Sequence, residues 1–183
     1  MTPTTFRLET FSVRPLVVRF GRGRHAGYRR AAGSHNRVEV GVMPRNEDIV
    51  VPDLLLDPEN ARLGTVQTTQ PATALALAAQ QGRRLVNLAA DIVEAGLDPA
   101  QPLTVLATGK GDRRRRYTVL EGNRRVLAIK ALETPSLVAG ALKPADLRRL
   151  QGLSLKYKSS PIDLVSCVMY EQPEAGEAYK RIL

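Results

Sequence analysis

The chain has 183 residues and a formal charge of +9, with 43% hydrophobic and 4% aromatic residues, two histidines and one cysteine. That is enough for one domain with its own core plus a tail. A single cysteine excludes an internal disulfide and a cysteine-based metal centre and suits a reducing cytoplasm, and no apolar run marks a membrane span or a secretory signal. A pI near 10.2 favours polyanionic partners, nucleic acid among them.

Residues 1–47 read as a basic, poorly ordered arm. Residues 6–20 have the β character of a strand pair, with Phe11, Val13 and Leu16 to Val18, but Gly21 through Arg30 combine Gly and Arg with one aromatic and no apolar period. Up to residue 48, nine arginines face only Glu9, Glu39, Glu47 and Asp48. Such a composition describes either a disordered tail or a loose phosphate-contacting arm. The folded domain is expected over residues 48–183.

Residues 49–56 form a strand candidate, followed by Asp57-Pro58-Glu59-Asn60-Ala61-Arg62-Leu63. A helix is predicted over 72–81, ended by Gly82. Residues 84–95 are amphipathic, with Leu85, Leu88, Ala89 and Ile92 at helical spacing, and Gly96 closes them. A loop containing Gln101 and Pro102 leads into a second strand ending near Leu106. Gly109, Gly111 and Asp112 between β segments predict a hairpin. Arg113, Arg114, Arg115 and Arg116 then make either a solvated turn or a DNA-phosphate patch.

Residues 117–121 read as a strand and residues from Asn123 as a helix, with Gly122 at a joint that favours a residue lacking Cβ. Arg124 and Arg125 fall in the first helical turn, where the macrodipole favours Asp or Glu. A helical wheel puts Asn123, Val126, Lys130 and Glu133 on one side and both arginines on the other, inward half. Two guanidinium groups beside free N–H donors suit a phosphate. The alternative is a solvated helix start whose arginines pair with a carboxylate elsewhere. Beyond it, residues 135–151 suggest short helices, the second opened by Pro144. Residues 162–170 read as a strand containing Cys167, a core thiol by its apolar neighbours. Residues 174–183 begin a helix in which the sequence stops, as in the N-terminal part of a longer protein.

Three boxes carry a family resemblance. Glu121-Gly122-Asn123-Arg124-Arg125-Val126-Leu127-Ala128 resembles the Gly-Glu-Arg-Arg-x-x-Ala box of the ParB N-terminal domain, the ParB/sulfiredoxin fold. Asp57-Pro58 with Arg62 resembles its Asn-Pro-x-x-x-Arg box. Gly96-Leu97, then Gln101-Pro102-Leu103, resembles its Gly-Ile-x-Gln-Pro-Ile segment. Their order along residues 49–133 matches the family layout. The implied fold is an α/β domain, a small mixed β-sheet with surrounding helices.

The implied function is binding the phosphates of CTP or ATP, with Mg²⁺, in a prokaryotic DNA-related process such as plasmid or chromosome partition or defence. Gly122, Asn123, Arg124, Arg125, Arg62, Gln101 and Pro102 would contact the nucleotide, and Glu121 is the nearby candidate for orienting a hydrolytic water. A homodimer would form through regions outside these residues. In sulfiredoxins the corresponding box carries a catalytic Cys, where this chain has Asn123, so sulfinic-acid reduction is not implied. Two alternatives stand beside the nucleotide reading. One is a ParB-like DNase, the other a non-catalytic DNA-binding or adaptor module.

Overall fold

The computed structural model describes residues 44–108 and 115–171, all within one compact unit. Strands β1 (Arg45–Val50), β2 (Leu54–Leu56), β3 (Leu103–Thr108), β4 (Arg116–Glu121) and β5 (Leu164–Tyr170) form one sheet in the order β1-β5-β3-β4-β2. The pairs β1–β5 and β3–β4 are antiparallel, while β3–β5 and β2–β4 are parallel. Helices α1 (Gln70–Gln81), α2 (Arg83–Ala95), α3 (Asn123–Glu133) and α4 (Pro144–Tyr157) pack together with a 3-10 helix at Pro135–Ala141. The expected α/β class and small mixed sheet are both present. The expected residue 6–20 strand pair, the hairpin tip, Arg113, Arg114 and the helix after residue 174 lie outside the described residues.

Residues 49–56 are not one strand. A 3-10 turn at Val51–Asp53, with Pro52 supplying a fixed φ and no N–H, separates β1 from β2. The two strands then occupy opposite edges of the sheet. In a flat sheet four strand spacings would hold the edges roughly 19 Å apart. The four residue steps from Val50 to Leu54 reach at most about 14 Å, so the sheet must curl until its edges approach. Val51 N donates to Asp163 O at 3.1 Å, which fixes the corner. Lys130 Nζ on α3 donates to Val51 O at 3.2 Å, and burial lowers the pKa of that amine.

Order begins earlier than the composition suggests. Arg45, Asn46 and Glu47 pair with Met169, Val168 and Cys167. Their side chains are exposed, so the backbone ladder holds this edge strand and no apolar alternation announces it. The opposite edge is closed by a side chain: Gln70 Oε1 accepts from Leu56 N, and Gln70 Nε2 donates to Leu56 O, both at 2.8 Å. An amide thus satisfies backbone groups that would otherwise invite another strand.

The core joins the inner sheet residues Leu54, Leu56, Val105 and Val119 to the helices. On α2, Leu85, Ala89 and Ile92 are buried, as their spacing requires. Helix α3 differs from its expected two-sided wheel. Val126, Leu127, Ala128, Ile129, Ala131 and Leu132 are all buried, so the helix is enclosed nearly all round and has no inward half.

Candidate functional site

Gly122 is the hinge of the site. It joins β4 to α3 with φ +100°, in the left-handed region. A Cβ built there would overlap Leu103 Cδ2 and sit 3.2 Å from Arg125 Nη2. Gly122 O accepts from Arg125 N at 2.9 Å and Val126 N at 3.0 Å. The amides of Asn123 and Arg124, one turn too early for a helical acceptor, form the open end of α3.

Asn123 is buried and its side chain is engaged by the fold. Its Oδ1 accepts from Asp57 N at 2.9 Å, and its Nδ2 donates to Val119 O at 2.7 Å. What Asn123 offers the site is therefore its backbone amide and its hold on the Asp57 segment. That segment is shaped locally: Asp57 Oδ1 accepts from Glu59 N at 3.0 Å, and Asn60 Oδ1 accepts from Arg62 N at 3.1 Å. Gln80 Nε2 on α1 donates to Arg62 O.

The two arginines of α3 diverge, contrary to their expected place together on an inward half. Arg124 is exposed and its Nη1 reaches Gln81 Oε1, at the end of α1, in a long contact of 3.5 Å. Arg125 is half-buried, lies over Gly122, and donates from Nη1 to Gln101 O. Between them opens a cleft of about 280 Å³. Arg62 and Arg84 line it with Arg124 and Arg125, and Glu121 is its sole carboxylate. Among the described residues, the ion pairs are those of Glu171 with Arg45 and with Arg115, so none of the four cleft arginines is neutralised in this way.

The structure brings Arg62, Gln101, Glu121, Gly122, Asn123, Arg124 and Arg125 to this one cleft. Pro102 lines instead a neighbouring cleft of about 360 Å³ beside Asp98, Leu103 and Leu164; Gln101 and Arg125 border both. Arg84 was not expected. Its signal was present, because Gly82-Arg83-Arg84 opens α2 as Gly122-Asn123-Arg124-Arg125 opens α3, with glycine at positive φ and no acid in the first turn.

A scan of protein-family models and a search of curated proteins gave no match to this chain. The site therefore rests on its own geometry.

The arginines at the far end of β4, about 20 Å from Gly122 by strand length, are differently placed. Arg115 Nη2 pairs with Glu171 Oε1 at 3.0 Å and stands 5.7 Å from the centre of the Tyr117 ring. Its hydrogen bond holds the Glu171 carboxyl below the usual range. Arg116 Nη1 donates to Pro52 O at 3.1 Å. Arg113 and Arg114 lie outside the described residues. Cys167 is buried in β5, and burial pushes its thiol up to about 12, which is inert behaviour for a thiol. Among the described residues no three His, Cys, Asp or Glu side chains gather to hold a metal ion, and no helix is long and apolar enough to cross a membrane.

Proposed function

We propose that this chain is a nucleotide-binding domain of ParB/sulfiredoxin type that takes the phosphates of CTP or ATP in the cleft at the start of α3. One observation carries the reading. Four guanidinium groups from three segments line a single cleft beside one carboxylate, and the partners of Arg124 and Arg125 are neutral oxygens. A cleft walled by one sign of charge concentrates counter-charge, and guanidinium forks match phosphate oxygens. The open amides of Asn123 and Arg124 add donors of the same polarity.

Mg²⁺ is commonly held by one or two carboxylates plus substrate phosphates. Glu121, the one carboxylate lining the cleft, would contact an ion arriving with the triphosphate, and it is the nearby candidate for orienting a hydrolytic water. The three sequence boxes support a role in a prokaryotic DNA-related process such as partition or defence. The DNA-module alternative draws on Arg115 and Arg116, but both are engaged within the chain. The nuclease alternative has no gathered carboxylates among the described residues.

The test is thermal denaturation with CTP, UTP, ATP or GTP, with and without Mg²⁺. A ligand at a hundred times its Kd stabilises by about 2.7 kcal/mol, a rise of several degrees. CTP or ATP is expected to give that rise and to keep it in high salt. A rise given only by duplex DNA, collapsing steeply with salt, would replace this reading with the DNA module.

A further inference from the structure

The four arginines do not ring the cleft evenly. Arg125 stands alone on the side of Gly122 and Gln101, where its guanidinium meets Gln101 O. Arg124 turns the other way, to Gln81 at the end of α1. Arg84 follows Gln81 by three residues, across the Gly82 joint that turns α1 into α2. Gln80, the neighbour of Gln81, holds the backbone of Arg62. Arg124 by its side chain and Arg62 by its backbone are thus tied to the end of α1, where Arg84 begins α2, while Arg125 is tied to the loop before β3, and all four line one cleft. At about 280 Å³ the cleft falls below the usual 300–1,000 Å³ of small-molecule sites. Its volume suits a phosphate chain better than a whole nucleotide.

We infer that Arg84, with Arg62 and Arg124, holds the terminal phosphate of a nucleoside triphosphate, so that Arg84 sets the preference for tri- over diphosphate. The inference rests on the proposed nucleotide reading and adds a residue that none of the three sequence boxes contains. The physical basis is charge matching. A phosphate chain lying across this cleft has its greatest charge at the terminal group, and three of the four arginines that line the cleft are carried by segments tied to the α1–α2 side. The inner phosphates then meet Arg125 and the amides of Asn123 and Arg124. Shortening the chain by one phosphate withdraws charge from Arg84 while leaving the Arg125 side occupied. Arg84 is exposed and makes no ion pair among the described residues, so removing it should leave the fold intact.

The experiment measures binding of CTP, CDP, ATP and ADP, with inorganic triphosphate and pyrophosphate as base-free probes, at one fixed salt concentration. It compares the parent chain with Arg84→Ala and Arg84→Gln. The parent is expected to favour triphosphates. Both variants should lose about tenfold in triphosphate affinity, the scale of one charge-assisted contact, and less than twofold for diphosphates. Their unliganded melting temperatures should match or exceed that of the parent. If the parent binds nucleotides and the variants lose tri- and diphosphate equally, or lose neither, Arg84 does not read the terminal phosphate and the nucleotide site stands without it. If the parent binds none of these probes, the nucleotide reading itself fails and this inference falls with it.

Discussion

Asn123 Oδ1 accepts the Asp57 amide at 2.9 Å across 66 residues of sequence, while its Nδ2 donates to Val119 O at 2.7 Å. One buried amide therefore ties the end of β2, the body of β4 and the first turn of α3. Truncation to Asn123→Ala would leave a backbone donor and acceptor without their partner, each worth about 1–3 kcal/mol when buried. The expected loss in urea denaturation is about 2–4 kcal/mol. Phosphate binding should weaken as well, because Arg62 hangs on the segment that Asn123 holds. Unchanged stability would show that water replaces the amide.

Gly122→Ala tests the hinge. The added Cβ meets Leu103 Cδ2, a side chain only 1% exposed with no room to withdraw, and it presses on Arg125 Nη2. The left-handed φ of +100° adds strain of about 1–2 kcal/mol for any L-residue. The variant is expected to melt well below the parent and to bind nucleotide poorly. An unaltered melt would mean that the β4–α3 joint relaxes freely.

Much of this architecture was legible in the residues. The helical spacing in α2, the glycine stops at Gly82 and Gly96, and the glycine between β4 and α3 each follow from local chemistry. Two features did not. The break between β1 and β2 depends on which neighbours Val50 and Leu54 find, a non-local choice that an apolar run around Pro52 conceals. The divergence of Arg124 and Arg125 depends on oxygens contributed by α1 and by the loop before β3, which a helical wheel of α3 alone does not contain. Arg84 was legible in principle, by the same wrong-sign argument applied to a second helix start.

The N-terminal boundary can be tested by two truncations. Removing residues 1–43 spares β1 and is expected to preserve a cooperative melt. Removing residues 1–47 also strips Arg45, Asn46 and Glu47 from β5, and with them the Arg45–Glu171 pair. It should lower the melting temperature by several degrees and expose β5 as a new edge prone to association. Identical melts for both truncations would show that half of β1 is dispensable.

Cys167 is a probe of global opening. Burial raises its thiol from 9.0 to about 12, so the native chain keeps it protonated where the unfolded chain would ionise. The stability this contributes is complete below pH 9.0 and is lost as pH rises towards about 12. A thiol-specific aromatic disulfide is expected to leave the native protein unmodified at pH 8 and to react fully in urea. Rapid native reaction would place Cys167 in an accessible site rather than in the core.

Arg125 separates a ligand site from an internal brace. Its guanidinium lies over Gly122 and donates to the carbonyl of Gln101, an exposed residue whose oxygen water can satisfy once the arginine is gone. Arg125→Ala should therefore change the stability of the unliganded chain by less than about 1 kcal/mol. Ligand binding should not be spared: losing a charge-assisted contact should weaken CTP or ATP by roughly ten- to a hundredfold. Arg124→Ala, whose partner is the neutral amide of Gln81, should behave alike. A steep fall in melting temperature without ligand, with nucleotide affinity unmoved, would make Arg125 a structural clasp between α3 and the loop before β3. The cleft would then lose the one arginine on its Gly122 side.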